Sequence, residues 1–447
     1  MILRFNVSNC LSFNEMTEFN SFTGDYRRFD NHVLKFKGVD LLKICAVYGA
    51  NATGKSNLIE ALDYLRDAVL SEDLKKLDLY PFKLNEDKPS SFEIEFLTEE
   101  TVYIYGFEIF NDKVKSEYLF FSGLGKKDEL IFERTVNKKG ISDIKVNKKH
   151  LKLKKHQTLK EHYEERSLPN QLFLNIIGDV DLGSLSDEIE KVIKWVYQLQ
   201  IIFPSSKPKY LVSNLINQPS FMDFSRDMLC SFDTGIKNLH IEEFGLKDYF
   251  GEDDKDLIND IIEELESNGG KDFPLAVDMI VTYKDDVPII KKLYVEHVGF
   301  GKENLFSYYD ESDGTKRLIE LMSMLFNLVV NESINSIYVI DEIGRSIHPY
   351  LLKKFLSKLS KEIKINGQLI FTTHESNLLD LNILRPDEIW FAEKNREFGS
   401  TEFKTLAEYK KIRPDLNIRK GYLEGRFGGI PILANFEDLN WKEYASN

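Results

Sequence analysis

Cysteine is scarce in this sequence, and the three that occur, Cys10, Cys45 and Cys230, lie far apart. Their spacing fits neither a disulfide framework nor a zinc site, and such low cysteine use is typical of a reducing compartment. An apolar run long enough to cross a bilayer is also missing, since the longest, residues 318–330, is short and contains a glutamate. The opening MILRFNVSNC does not resemble a signal peptide. The sequence therefore predicts a cytoplasmic location without membrane association.

Positive charge is in deficit, with 59 basic against 73 acidic residues and a formal net charge of -14. This balance argues against a general nucleic-acid coat protein or a membrane-surface protein, because both need an excess of positive charge. Two basic segments, 145–160 and 404–426, leave contact with phosphate backbones or an acidic protein open, against the alternative of a solvated face. The 447 residues, 42% of them hydrophobic, suffice for a sizeable core and for about three domains.

Hydrophobic periodicity predicts an α/β core interrupted by a long insertion. The core is predicted from residues 1–72 and 300–400, where apolar strands alternate with helical patterns. Residues 73–145 contain short runs rich in β-formers, such as VYIYGFEIF, and predict a β-rich lobe of antiparallel hairpins. A mainly helical insertion is predicted for 146–299 and a C-terminal tail for 401–447. No heptad repeat is sustained in the insertion, which excludes a long coiled coil.

Individual elements follow from the same patterns. The predicted strands are 2–7, 41–48, 276–283, 291–298, 336–340 and 368–373. One predicted helix begins near residue 56, and helical patterns are predicted in the insertion up to about residue 266. Two further helices are predicted at 314–330 and 349–363.

The segment GANATGKS, residues 49–56, has the spacing of a phosphate-binding loop and follows a predicted buried strand. Glycines let backbone N–H groups approach phosphate oxygens, and the helix that follows presents its positive end. We expect Lys55 to reach the β- and γ-phosphates and Ser56 to coordinate Mg²⁺, so ATP and Mg²⁺ are the predicted cofactors. The predicted nucleotide-binding residues of this segment are Gly49, Asn51, Gly54, Lys55, Ser56 and Asn57.

Two carboxylates end a second apolar run, YVIDE, and a histidine ends a third, QLIFTTH. Such a run could be a plain sheet edge, but beside a phosphate-binding loop it predicts a magnesium ligand, Asp341, and a base that activates water, Glu342. An isolated histidine is usually structural, whereas His374 after the next strand of an ATPase is expected to contact the γ-phosphate. The predicted catalytic residues are therefore Glu342, Lys55 and His374, and the predicted metal ligands are Ser56 and Asp341.

A serine and a glycine, Ser312 and Gly314, open an apolar helix shortly before the YVIDE strand. A serine in this position is an ordinary N-cap. A serine hydroxyl and a glycine N–H at a helix start also suit a phosphate group. The residues alone leave both interpretations open.

The set GANATGKS, SDGTK, YVIDE, SIHP and TTH resembles the ABC-type ATPase superfamily that includes SMC, RecF and OLD-like proteins. SDGTK stands where that superfamily has its signature motif, and residues 345–349 stand where it has its D-loop. The resemblance implies a P-loop core of ABC type that hydrolyses ATP between two protomers, with Ser312 and Gly314 acting on the neighbour's nucleotide. Because the chain has one copy of each motif, a homo-oligomer, dimeric or larger, is expected.

Further segments, FNVSNCLSFNE, ELIFER, SFDTGIKNLHIEE and KGYLEGRFGGIPIL, resemble a group of small bacterial anti-phage ATPases that includes the ATPase subunit of the PARIS system. This resemblance implies a separate effector, most often a nuclease, which the ATPase restrains or positions until a phage-encoded trigger arrives. No D-x-D pair follows His374, as a Toprim nuclease domain would require, so nuclease chemistry is not expected in this chain. Gln171 is the candidate for the Q-loop glutamine of the superfamily, with an ordinary surface amide as the equal alternative.

The alternative function is a RecF-like DNA-repair clamp that closes around duplex DNA when ATP binds. The negative net charge counts against it, and DNA binding stays open at this stage. A transporter subunit is disfavoured, because more than half of the chain separates Lys55 from Ser312.

Overall fold

The computed structural model describes residues 1–137, 139–147, 149, 169–177, 184–330, 336–362, 365, 367–409, 412–413 and 416–430. Most of the basic segment 145–160 and the end of the predicted C-terminal tail therefore lie outside the described residues. Within these ranges, no helix combines the length and apolar character needed to span a bilayer.

The strands are numbered in chain order. They are β1 (Ile2–Ser8), β2 (Thr17–Asn20), β3 (Val33–Phe36), β4 (Val39–Leu42), β5 (Ile44–Tyr48), β6 (Ser90–Thr98), β7 (Thr101–Phe110), β8 (Lys113–Phe121), β9 (Glu129–Val136), β10 (Ser142–Val146), β11 (Leu199–Ile202), β12 (Ile236–Gly245), β13 (Phe273–Ala276), β14 (Met279–Lys284), β15 (Val287–His297), β16 (Phe306–Ser307), β17 (Ile337–Ile340), β18 (Gln368–Thr373), β19 (Ile389–Lys394) and β20 (Thr401–Thr405).

The helices are numbered in the same way. They are α1 (Lys55–Leu70), α2 (Phe173–Ile177), α3 (Ser184–Gln198), α4 (Leu211–Asn217), α5 (Pro219–Ser231), α6 (Leu246–Phe250), α7 (Lys255–Ser267), α8 (Asp313–Val329), α9 (Pro349–Leu359) and α10 (Ile418–Leu423).

The chain folds into two compact units. The first comprises Met1–Ile201, Asn335–Ile343 and Ser360–Asn447, and the second comprises Ile202–Ile334 and Gly344–Leu359. These units divide the chain differently from the predicted segments. The predicted lobe 73–145 shares the first unit with the N-terminal residues, because β1 pairs with β6.

The first unit contains a seven-stranded antiparallel sheet in the order β10-β9-β8-β7-β6-β1-β2. Alternate residues of β6, Phe92, Ile94 and Phe96, are buried, since successive side chains of a strand point to opposite faces. The runs of β-formers predicted the hairpins from β6 to β9. The sequence did not predict that β1 joins them, with Phe5 opposite Ile94.

A second sheet of the first unit has the order β11-β17-β18-β5-β19-β20. The pairs β17–β18, β18–β5 and β5–β19 are parallel, and β20 is antiparallel to β19. Every residue of β5, β17 and β18 is buried, as is typical of parallel strands covered on both faces. Because parallel strands end at the same edge of a sheet, the segments after β5, β17 and β18 leave this sheet at one edge. The α/β P-loop class predicted from the sequence is confirmed.

The predicted strand 41–48 is in fact two strands, β4 and β5, of different sheets. β4 pairs with β3, whereas β5 lies in the parallel sheet. The chain turns at Lys43, whose N–H donates to the carbonyl oxygen of His32 at 2.7 Å. The continuous apolar run concealed this turn.

The second unit contains an antiparallel sheet in the order β12-β15-β14-β13, with helices packed against it. Its core includes Ile258 and Leu265 of α7 and Val281 and Ile290 of the sheet. Helix α7 confirms the acidic helix predicted in the insertion, and β14 and β15 confirm the two predicted strands. The longest helix among the described residues, α8, has 17 residues, so the described part contains no long coiled coil.

Strand β12 was predicted as part of a helical stretch, and this prediction is wrong. The structure pairs Glu242 and Glu243 of β12 with Lys292 and Lys291 of β15. Opposite charges on neighbouring strands stabilise such pairing. The partner strand lies far along the chain, so the local pattern does not contain this information.

Candidate nucleotide-binding site

The loop of residues 49–54 joins the buried strand β5 to helix α1, as predicted. Gly54 has a left-handed backbone with φ of 95°, which glycine adopts without steric cost. A Cβ on Gly54 would overlap the side chain of Thr401, and one on Gly49 would lie 2.8 Å from the carbonyl oxygen of Ala392. The close packing therefore requires glycine at both ends of this loop.

Lys55, the first residue of α1, is enclosed by the loop. Its Nζ donates to the carbonyl oxygens of Gly49 and Ala50, each at 2.8 Å. Burial lowers the pKa of the Lys55 ammonium, and the nearby carboxylates of Glu342 and Asp341 oppose this shift. A cation at this position can contact a phosphate group bound in the loop.

Ser56 and Asp341 meet beside the loop. Ser56 Oγ donates to Asp341 Oδ1 at 3.1 Å, although the two residues are far apart in the chain. Asp341 directly follows β17 and is 5% exposed. A hydroxyl and a carboxylate are hard oxygen ligands of the kind that Mg²⁺ prefers. This donor set fits the ion that the sequence predicts.

Glu342 has a left-handed backbone, with φ of 48°, at a cost of about 1–3 kcal/mol for a residue other than glycine. Its N–H donates to Thr372 Oγ1 at 2.8 Å, and Thr372 Oγ1 donates to Asp341 Oδ1 at 2.6 Å. The sequence analysis did not single out Thr372. Its only signal is its place in β18, two residues before His374.

His374 follows β18 and has an exposed side chain. Since β18 lies between β17 and β5, His374 leaves the sheet at the same edge as Gly49 and Asp341. Asn51 is exposed in the loop, and Asn57 is half-buried in the first turn of α1. The structure thus gathers the predicted residues of the first unit at one sheet edge.

Ser312 and Gly314 belong to the second unit, at the start of α8. Ser312 is the N-cap of this helix, and its Oγ accepts the N–H of Thr315 at 3.1 Å. A Cβ on Gly314 would lie 2.7 Å from the carbonyl oxygen of Ser346, in the segment that resembles a D-loop. The N-cap interpretation therefore holds, while phosphate binding by this helix start stays a prediction.

One protein-family model matches most of the chain. Its description is "AAA domain, putative AbiEii toxin, Type IV TA system", and it matches residues 44–190 and 197–380. The chain belongs to this AbiEii-type AAA family. The matched ranges include the loop 49–54, Asp341 and Glu342.

Solved SMC head domains are similar to this AAA-family chain over 90% of its length. The SMC head bound to the C-winged helix domain of ScpA is 12% identical, with a TM-score of 0.45 over 97% of that chain. The SMC head domain from Thermotoga maritima is 12% identical, with a TM-score of 0.36 over 98% of that chain. An SMC head with an extended coiled coil, bound to the C-terminal domain of ScpA derived from Pyrococcus furiosus, is 13% identical, with a TM-score of 0.39 over 96% of that chain.

Gln171, the Q-loop candidate, lies away from the loop of this AAA-family chain. Its Nε2 donates to Asn175 Oδ1 at 2.8 Å, and Asn175 Nδ2 donates to the carbonyl oxygen of Val69 at 3.3 Å. Val69 is in the last turn of α1, a helix about 24 Å long that begins at Lys55. The Gln171 prediction is therefore wrong, because Arg134 and the end of α1 hold its segment away from the phosphate-binding loop.

The basic segments of this AAA-family chain are partly neutralised within the described residues. Local ion pairs of three lysines include Lys145–Glu133 at 3.4 Å, Lys149–Glu129 at 2.6 Å and Lys404–Glu393 at 3.7 Å. These pairs favour a solvated surface for the three lysines.

Proposed function

We propose that this protein binds ATP with Mg²⁺ and hydrolyses the ATP to ADP and phosphate. The observation that carries the proposal is the hydrogen-bonded cluster of Ser56, Asp341, Thr372 and Glu342 beside the phosphate-binding loop. A phosphate-binding loop by itself supports only the binding of ATP. A further carboxylate next to the proposed magnesium ligand also supports hydrolysis.

Binding in this proposal uses the loop and the start of α1. The phosphates are contacted by backbone N–H groups of the predicted nucleotide-binding residues in this segment, which include Gly49, Asn51, Gly54 and Asn57. Lys55 exchanges its two loop carbonyls for phosphate oxygens. This exchange replaces two neutral partners with a charged one. A charged partner stabilises the Lys55 ammonium, whose pKa is lowered by burial.

Hydrolysis in this proposal uses the ends of β17 and β18. Ser56 and Asp341 hold Mg²⁺, which neutralises phosphate charge when bound. Glu342 orients the attacking water and accepts its proton, and His374 donates a hydrogen bond to the γ-phosphate.

A second copy of the chain completes the site in this proposal. Ser312 and Gly314 of one protomer contact the nucleotide held by its neighbour, so the active form is a homodimer or a larger homo-oligomer. The position of both residues at the start of α8 supports this role, since a serine hydroxyl and N–H groups at a helix start favour phosphate.

The proposed cellular role is anti-phage defence in the cytoplasm, through control of a separate effector that we take to be a nuclease. A phage-encoded protein is the proposed trigger. The family description supports a separate partner, because a toxin–antitoxin system has two components. The resemblance to the ATPase subunit of the PARIS system supports the same division of work.

Two variants test the proposed hydrolysis. Lys55→Ala should abolish tight ATP binding, because the loop loses its cation. Glu342→Gln should keep binding but slow hydrolysis by roughly 10²–10⁴-fold, because an amide cannot accept the proton. Binding of a fluorescent ATP analogue and phosphate release measure the two effects, with the exposed Glu397→Gln as control. Normal hydrolysis by Glu342→Gln would exclude Glu342 as the base, and hydrolysis independent of Lys55 would contradict the ATPase proposal.

A co-purification tests the proposed effector. The Glu342→Gln variant is purified from its host with ATP present, beside Lys55→Ala as the matched control. A nuclease recovered in stoichiometric amount with the first variant alone would support the proposal. Recovery of duplex DNA, with binding that falls steeply as salt rises, would support the RecF-like clamp instead.

A further inference from the structure

Thr372 contacts three consecutive residues at the end of β17. Its Oγ1 donates to Asp341 Oδ1 at 2.6 Å and accepts the N–H of Glu342 at 2.8 Å. Its carbonyl oxygen accepts the N–H of Ile343 at 3.2 Å. Thr372 is 0% exposed, so water does not compete for these bonds.

The chemistry of the groups fixes the direction of both hydroxyl bonds. A carboxylate only accepts and a backbone N–H only donates, so the single hydrogen of Thr372 Oγ1 goes to Asp341. Ser56 Oγ donates to the same oxygen of Asp341 at 3.1 Å. Among the described residues, both side-chain hydrogen bonds of Asp341 therefore involve Oδ1, which sets the orientation of the carboxylate.

Glu342 depends on the same hydroxyl in a second way. Its φ of 48° lies in the left-handed region, where residues other than glycine persist only if their surroundings hold them. The bond from the Glu342 N–H to Thr372 stabilises this conformation. The backbone conformation in turn determines the direction in which the Glu342 side chain leaves the sheet.

We propose that Thr372 is a positioning residue for ATP hydrolysis, whose one hydroxyl fixes the proposed magnesium ligand Asp341 and the proposed base Glu342 relative to each other. The inference rests on the proposed function. A threonine that only satisfies buried polar groups would affect stability alone. A positioning threonine also affects the response of the site to Mg²⁺, because groups that orient metal ligands typically change metal affinity or activity when they are removed.

The next residue in the chain offers a matched control. Thr373 is 2% exposed in the same strand, and its Oγ1 accepts the N–H of Glu375 at 3.1 Å. Thr372→Val and Thr373→Val therefore remove the same group at similar burial. Thr372→Ser keeps the hydroxyl and removes one methyl group.

The experiment measures four quantities for each variant. They are kcat and KM for ATP, the Mg²⁺ concentration that half-saturates binding of a fluorescent ATP analogue, and the urea midpoint without nucleotide. Thr372→Val should lower kcat or raise the half-saturating Mg²⁺ concentration by roughly 10–100-fold, with a nearly unchanged KM at saturating Mg²⁺. Thr372→Ser should return both values close to the wild type, and Thr373→Val should show the normal Mg²⁺ dependence.

Two results would overturn the inference. One is a Thr372→Val protein with normal kcat and Mg²⁺ dependence, and the other is a Thr372→Ser protein as impaired as Thr372→Val. If Thr372→Val does not fold, Thr372→Ala replaces it, since it removes the hydroxyl without placing a methyl group against the Asp341 carboxylate and the Glu342 N–H. If the wild type binds the analogue but does not hydrolyse ATP, the proposed function fails, while the Mg²⁺ titration still reports on Thr372.

Discussion

At the scale of single residues, the phosphate-binding loop depends on the backbone of Gly54. Its φ of 95° and its contact with Thr401 leave no room for a side chain. Gly54→Ala should therefore shift the loop and weaken ATP binding more than about tenfold, since a left-handed alanine costs about 1–2 kcal/mol before the overlap is counted. Titration with a fluorescent ATP analogue measures this loss.

A second glycine separates backbone strain from overlap. Gly38 has φ of 88°, but a Cβ there would meet no atom within 4 Å. Gly38→Ala should lower the free energy of unfolding by about 1–2 kcal/mol and leave ATP binding unchanged. Equal effects of both substitutions on ATP binding would contradict the role given to the Thr401 contact.

The residues of the site differ in how far the sequence predicts them. Lys55 and Ser56 are predictable, because the phosphate-binding loop and the following helix are local and their spacing is fixed. Thr372 is not, because its role depends on the left-handed backbone of Glu342 and on a neighbouring strand. Gln171 was predicted wrongly, because its short motif contains nothing about its contact with Asn175.

At the scale of elements, local periodicity predicted the strands and helices that frame the loop. The predicted strand 368–373 is β18, and the predicted helix 314–330 is α8, shifted by one residue. Long-range pairing could not be predicted in the same way. β1 pairs with β6 and β12 with β15, and each partner lies far away along the chain.

The C-terminal segment forms a turn, residues 425–429, against the phosphate-binding loop. A Cβ on Gly429 would lie 3.5 Å from the Cα of Gly49. Tyr422 of α10 donates its hydroxyl to the carbonyl oxygen of Gly429 at 2.9 Å. Its ring stacks on Phe391 of β19, with centroids 5.5 Å apart. This element therefore supports the first glycine of the loop from the side of β19.

A substitution in this turn should reach the nucleotide. Gly428 has φ of 66°, and a Cβ there would overlap the side chain of Glu393. Gly428→Ala should displace the turn and weaken ATP binding by about tenfold, the equivalent of about 1.4 kcal/mol. Analogue binding, compared with the urea midpoint, measures whether the loss exceeds a general loss of stability.

Gly425→Ala is the matched control for this turn. Its φ of 79° imposes a similar backbone cost, but the nearest contact of a new Cβ is the side chain of Ile430 at 3.4 Å. ATP binding should be close to normal in this variant. A normal ATP affinity in Gly428→Ala would show that the turn does not support the loop.

At the scale of the whole molecule, the two parts of the proposed composite site belong to different units. The loop and Asp341 lie in the first unit, and Ser312 lies in the second. If protomers share a site as proposed, each site needs the loop of one protomer and Ser312 of its neighbour. An oligomer made only of one variant, defective in either part, is then inactive. A mixture of two complementary variants, however, restores intact sites.

Mixing Ser312→Arg with Lys55→Ala tests this sharing. Each variant alone should be inactive, since one blocks the contribution to the neighbour and the other fails to bind ATP. After subunit exchange in equal amounts, half of all dimers would be mixed and have one intact site of two. For a symmetric dimer with independent sites, phosphate release should recover to about a quarter of the wild-type rate.

The decisive control mixes two variants of the same part of the site. Lys55→Ala and Glu342→Gln both alter the ATP-binding part, so their mixed dimers contain no intact site and should show no recovery. Recovery only in the Ser312→Arg mixture would therefore come from sharing between protomers rather than from general stabilisation by mixing. No recovery in either mixture, with exchange verified by differently tagged protomers, would mean that Ser312 does not act on a neighbour's nucleotide.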